Sequence, residues 1–343
     1  MAAKRVRRAL VPAAIAVAGL AAGGPASAQS VPLNYESLSS MEEPIAVEIS
    51  DVTFILTGLV DARWSVESEG NDNTDTSLIG NFQVSALTQL PNRWLVDLSY
   101  FGQHASDPTT VFGTGDGYTD NGALSVGSYW GTVSGGNVSG IVREMTRRLR
   151  GAGNAVLAFD GFLGALEDWS GSYTGRFGPW VVGAVVDEDG GFDLGATFQR
   201  PAGTRDWRAT LRTAEGTYAP VGGQRFDTRG FGIVGEVIYG STTVDASAGY
   251  EQFASKGPNA DRWYVATGVR TKTGALTLSL EGQVGRIEGK DEASTALGAQ
   301  YDIARGLSAN LGLNHAKARV SLDGAGFLDI EETRTVLSLR YSF

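Results

Sequence analysis

The 343-residue sequence has no cysteine and only two histidines. Without cysteine there is neither a disulfide scaffold nor a thiolate metal site, and passage through an oxidising compartment is compatible with the chain. His104 falls at a loop edge and His315 on the apolar parity of its strand. Neither has a nucleophile or ligand partner at a recognisable spacing, so a catalytic triad and a histidine metal site both lack their parts. Long apolar runs are missing too: only Ala9 to Ala22 approaches one, and it is too short for a comfortable helical span.

What is present begins with an export signal. Lys4, Arg5, Arg7 and Arg8 precede the apolar run and Ala26-Ser27-Ala28 follows it as a small-residue cleavage site, so residues 1–28 read as a cleaved signal peptide. Its loss takes Lys+Arg from 28 to 24 against 38 Asp+Glu, a net charge of −14 that argues against nucleic acid as a partner. The 47 glycines and 10 prolines suit either a glycine-rich β-protein or a partly disordered chain. Periodicity decides between them.

After a polar lead, residues 29–51, apolar and polar residues alternate to the end of the chain. In Val52 to Val66, Phe54, Leu56, Val60 and Trp64 take one face and Thr57, Asp61 and Arg63 the other. In Leu276 to Val284, Leu276, Leu278, Leu280 and Val284 oppose Thr277, Ser279, Glu281 and Gln283. A period of two is the mark of a half-buried strand. Sixteen such segments can be counted, the weakest being Gly122 to Gly131 and Thr132 to Val138. They are joined alternately by tight turns (Pro91-Asn92, Gly178-Pro179, Gly240-Ser241, Thr273-Gly274) and by longer polar loops.

An even number of strands with apolar-out, polar-in alternation and unequal ends is the signature of an antiparallel transmembrane β-barrel. A bilayer core offers no water to an open sheet edge, so the sheet must close on itself. Trp64, Trp94, Tyr100, Trp180, Trp207, Tyr239, Tyr250, Trp263 and Tyr341 fall on the apolar parity near strand ends, where they would form interfacial girdles. A soluble β-sandwich or solenoid would not keep its second face polar through a dozen strands.

The chain ends in LSLRYSF, with Leu337, Leu339, Tyr341 and the terminal Phe343 at alternate positions. This is similar to the signal that outer-membrane proteins present to the barrel-assembly machinery. With the strand count and the long insertion after the fifth strand, Val52 to Phe343 resembles the general porins of Gram-negative bacteria, most nearly the alphaproteobacterial type known from purple bacteria. The resemblance implies a 16-stranded barrel, a homotrimer in outer-membrane lipid, and a third loop folded into the lumen as an eyelet, its acids facing basic side chains on the wall. It implies a channel for ions and small hydrophilic solutes rather than an enzyme, with no cofactor.

The insertion, residues 139–170, is the one long stretch of the mature chain that does not alternate. Ile141, Met145 and Leu149 recur every four residues with Arg143, Arg147, Arg148 and Arg150 among them, so Ser139 to Arg150 predicts a short amphipathic helix. These arginines depart from a simple acidic loop. They either line the pore or pin the loop to wall acids such as Asp97 or Glu281, since a buried arginine needs a carboxylate in both roles. Further on, Phe159, Phe162, Leu163 and Leu166 are expected to pack on the barrel interior while Asp160, Glu167 and Asp168 project into solvent as the acidic side of the constriction. Arg63, Arg212 and Arg334, inward by parity, are its expected basic side.

Other classes find less support. A receptor would carry a plug domain larger than residues 29–51, and a closed structural or binding barrel would need fewer strands, since about 8 fill their interior with side chains whereas about 16 leave a channel. A barrel hydrolase would need a site that the histidines do not provide. Loop carboxylates such as Asp116, Asp120, Asp187, Glu188 and Asp189 could hold Ca2+, though solvated acids are the commoner outcome. The negative mature charge leans toward cation preference, unless loop acids set that total while the arginines of the constriction set selectivity, two contributions that composition does not separate.

Overall fold

The structure, a computed structural model, describes residues 44–68, 72–106, 116–167, 169–202, 205–218, 225–254, 260–322 and 326–343. The expected signal peptide, most of the polar lead and Asp168 lie outside the described residues.

Seventeen strands form one antiparallel sheet. In chain order they are β1 (Ile45–Ile49), β2 (Val52–Ser68), β3 (Asp72–Gln89), β4 (Leu95–Ser106), β5 (Asp116–Ser128), β6 (Gly131–Asn137), β7 (Trp169–Phe177), β8 (Trp180–Asp187) and β9 (Phe192–Ala202). They continue as β10 (Arg205–Tyr218), β11 (Phe226–Tyr239), β12 (Thr242–Ala254), β13 (Ala260–Thr273), β14 (Leu276–Ile287), β15 (Lys290–Ala304), β16 (Leu307–Leu322) and β17 (Gly326–Ser342). Each strand from β2 to β17 pairs with its sequence neighbours, and β17 pairs back onto β2 in the register Leu337↔Trp64 and Tyr341↔Val60. Sixteen strands thus close a barrel, as the alternation predicts.

The barrel is inside out relative to a soluble protein. Its exposed parity is apolar, with Phe231 at 60 % and Leu280 at 56 % accessibility, and its buried parity is polar, with Ser279 at 4 % and Gln283 at 2 %. Period-two alternation puts every second side chain on the same face, and the outer face takes the apolar set throughout. Aromatic rings gather on this outer face: Trp180, Phe198 and Trp207 lie in sequence with centroids 4.9 and 5.0 Å apart, and Trp94 meets Trp130 edge-on at 6.0 Å. Among the described residues no helix is long and apolar enough to cross a membrane.

Three details differ from the sequence reading. The end of the polar lead forms β1, which pairs with the first residues of β2 (Val47↔Phe54) and places Ile45, Val47 and Ile49 beside its outward apolar residues. Its outward residues are odd-numbered and those of β2 even-numbered, because Ile49 pairs with Val52 across the turn at Ser50 and Asp51. Between β5 and β6 the turn falls at Tyr129–Trp130, ahead of Gly131, whose φ of 127° few other residues adopt. Not every far connection is long: Asp187–Gly191 and Glu288–Gly289 are tight, with positive φ at Gly190, Glu288 and Gly289.

The seam is sealed by the C-terminus. Phe343 and Gly58 exchange two backbone hydrogen bonds of 2.9 and 3.0 Å, and the Phe343 ring occupies the space a side chain at position 58 would need. Replacing Gly58 with Leu should therefore displace the ring and lower equilibrium stability in denaturant by about 1–3 kcal/mol, the usual range for overpacking. Gly80→Ala, where a Cβ meets open space, should leave it nearly unchanged.

Candidate functional site

The segment between β6 and β7 crosses the inner wall twice. It opens with one short helix, α1 (Ile141–Thr146), which packs against β8, β9 and β10. The approach is close because Gly183 and Gly195 have no side chain: Met145 and Val142 fill both pits, and Thr146 also enters the one at Gly195. The segment then runs past β14 to β16, where Ala152 donates to Ser279 at 2.7 Å and Val156 to Asn314 at 2.9 Å. Its far tip reaches β17, with Asn154 donating to Ser338 at 3.0 Å. It returns by Leu163 and Gly164, whose N–H groups bind Glu251 at 3.0 and 2.8 Å, and ends in a two-way backbone bridge between Ala165 and Thr217. All these side-chain partners belong to the polar, inward parity of their strands.

The helix is shorter than the expected Ser139 to Arg150. Thr146 turns its hydroxyl back onto the Val142 carbonyl at 2.7 Å, and Arg147 leaves in an extended conformation with ψ 163°. The wall competes for the next residues: Arg208 donates to the Arg147 carbonyl at 2.6 Å and Leu149 N–H to Glu236 at 2.9 Å. These bonds to the wall take the carbonyl and N–H that a further helical turn would use. The aromatic and aliphatic side chains behave as expected, Leu163 joining Phe253, Ala260 and Ile287, and Phe159 packing on Ala158 and Ala316.

Two buried ion clusters tie the segment down. Arg148 reaches Asp245 with one nitrogen and Asp160 and Glu281 at 3.1 Å each with another. Burial alone would pull its guanidinium down, but the carboxylates of Asp160 and Asp245 beside it raise it above its ordinary value. Arg262, on β13, binds Glu292 at 2.8 Å and Glu251 at 3.5 Å, and donates to the carbonyls of Phe159 and Gly161. Arg148 is therefore a pinning residue, and Glu281 is its wall partner. Asp97 is not: it is buried on β4, and neither of its oxygens has a hydrogen-bond partner among the described residues.

The remaining expected residues divide. Asp160 is held by Arg148 and Glu167 by Arg225, so neither acid projects freely into solvent. Arg63 faces inward and binds Asp61 at 2.8 Å, and Arg212 grips Asp193 with two nitrogens and lies over the Phe162 ring. Arg334 is inward but almost wholly buried against Glu67 at 2.9 Å. In its place Arg340, three periods of the alternation further on, shares Asp61 with Arg63 and also donates to Asn154 at 3.0 Å. Its parity marked it as inward; only register, which sets it opposite Asp61, could single it out.

On the segment itself, Arg147 and Arg150 share Glu144, at 2.6 and 3.8 Å. Burial pushes the Glu144 carboxyl up, against the opposing influence of Arg147, Arg143 and Arg212. Arg143 is exposed and forms no salt bridge among the described residues. A cleft between α1 and the returning limb is lined by Arg143, Phe162, Arg212 and Glu251. His315 binds Thr333 at 2.8 Å on the outer face, and among the described residues no group of three or more acids and histidines is arranged to hold a metal. Of the acids weighed as cation ligands, Asp187 instead accepts the backbone N–H groups of Glu167, Asp189 and Gly191.

Removing Arg148 would leave Asp160, Asp245 and Glu281 facing one another without a cation. Arg148→Met should cost about 3–5 kcal/mol, the usual effect of breaking a buried ion cluster. The loss should be read first as faster hydrogen exchange in residues 148–158, with the strand amides far from the segment unaffected.

No protein-family model matches the chain, and no curated protein matches its sequence. Solved structures do share its fold. An anion-selective porin from Comamonas acidovorans superposes with a TM-score of 0.64 at 14 % identity, over 85 % of this chain and 100 % of its own. The outer-membrane protein OmpT of Vibrio cholerae, in a trimer form, gives 0.66 at 12 % identity over 86 % and 100 %. A mutant of the Rh. blastica porin gives 0.52 at 16 % identity over 84 % and 100 %.

Proposed function

We propose that this chain is an outer-membrane porin, a water-filled channel through which ions and small hydrophilic solutes diffuse passively. The observation that carries the reading is the inversion of the barrel: an apolar exterior that suits lipid, around an interior of hydroxyls, amides and ion pairs. Sixteen strands give a circumference that side chains alone do not fill, and the segment from Ser139 to Glu167, bound to the inner wall, narrows what is left. Arg63, Arg212 and Arg340 on the wall, with Arg143, Arg147 and Arg150 on the segment, are assigned to the constriction, and Asp160 and Glu167 supply its acidic edge. Selection there needs only fixed charge and width, so the reading assigns no catalytic residue and no cofactor.

The porins among the fold neighbours support this reading, and the trimer form of one neighbour supports a homotrimer here. The terminal Phe343, docked on Gly58, is assigned as the end of the assembly signal with Leu337, Leu339 and Tyr341, whose side chains face outward where assembly machinery could meet them.

Purified protein added to a planar lipid bilayer should produce stepwise currents that close in groups of three. Total absence of conductance in correctly folded protein would overturn the reading. The double substitution Asp160→Asn and Glu167→Gln should shift the reversal potential measured under a salt gradient, and an unchanged potential would remove both acids from the constriction.

A further inference from the structure

Charge inside this barrel is sorted by depth. Resting on the channel reading above, we infer that the channel prefers anions, despite a chain whose formal net charge is −10. In three clusters, two on the inner wall and one on the segment, the guanidinium lies above its carboxylate. Arg63 and Arg340 share Asp61, Arg147 and Arg150 share Glu144, and Arg208 binds Glu236. The five arginine side chains are 17–36 % accessible, whereas the three acids are 0–9 % accessible.

Asp61 and Glu144 each serve two of these arginines, and Arg143 adds an exposed cation in no salt bridge among the described residues. The clusters with excess acid are the hidden ones: Arg148 with its three carboxylates and Arg262 with two, where every side chain but Asp160 is at most 5 % accessible. Asp160, and Glu67 above Arg334, are the acids that break the pattern.

A permeating ion meets the outermost charge at contact distance and the buried one only beyond it. A unit charge at about 4 Å in water changes the local concentration of an ion about fivefold, and the effect falls with distance and salt. Guanidinium groups above their counter-ions therefore present a positive surface, and their planar donors suit oxyanions as well as halide. The solutes favoured are small anions: chloride, carboxylates and phosphates.

The test is the reversal potential of the intact protein in a planar bilayer under a KCl gradient. Its sign should show chloride preferred over potassium. Arg63→Gln with Arg340→Gln should lower the chloride-to-potassium permeability ratio about two- to fivefold, and Arg143→Gln, an exposed change that breaks no salt bridge, about twofold. Potassium preference in a conducting wild-type protein would overturn the inference and leave the channel reading standing, as would a ratio unmoved by both variants. Absence of conductance would remove both.

Discussion

Backbone hydrogen bonding that has nowhere to end is the constraint behind this structure. An amide or carbonyl left open toward hydrocarbon costs several kcal/mol, so the sheet must come round to itself, and β17 must find β2. Closure forces alternation on both faces at once. Apolar residues go outward, and the inner parity must be polar, small or tied to something. The long segment before β7 is what many of those inner groups are tied to: its amides are satisfied by Ser279, Asn314, Glu236 and Glu251 rather than by a helix or sheet of its own.

The segment is held by two kinds of contact with different physical origins. Glycine pits at positions 183 and 195 allow α1 to sit against the wall closely enough for methyl and thioether groups to fill them. Buried arginines do the rest, each satisfying carboxylates from the wall and, at Arg262, carbonyls from the segment. Packing positions the first limb, whereas ion pairs and hydrogen bonds position the turn and the return. Charges used as anchors are removed from water, and those left in water are the ones that a solute would meet.

Most of the architecture was legible in the sequence because a period of two needs no tertiary information. Trp64 and Arg63 declare opposite faces by adjacency alone. Strand ends were less legible: β1 carries only three outward apolar residues, Ile45, Val47 and Ile49, too few to establish a period without β2 beside them. The interior was legible by composition and not by pairing. Arg148, Arg147 and Arg150 stand close together in the chain yet bind different partners, and nothing local says that the first turns toward Asp245 while the others turn toward Glu144. Arg334 and Arg340 share a parity, and cross-strand register alone decides which is sealed against Glu67 and which shares Asp61.

The route of the inner segment also bears on how the molecule can be built. Its anchors are spread over strands that emerge from the ribosome long after it does, the last being Ser338 and Arg340 on the final strand. A segment roped to both its neighbours and to the far wall cannot be threaded in once the cylinder is shut. The staves must be raised around it, so that joining the last strand to the first is also the step that completes its moorings.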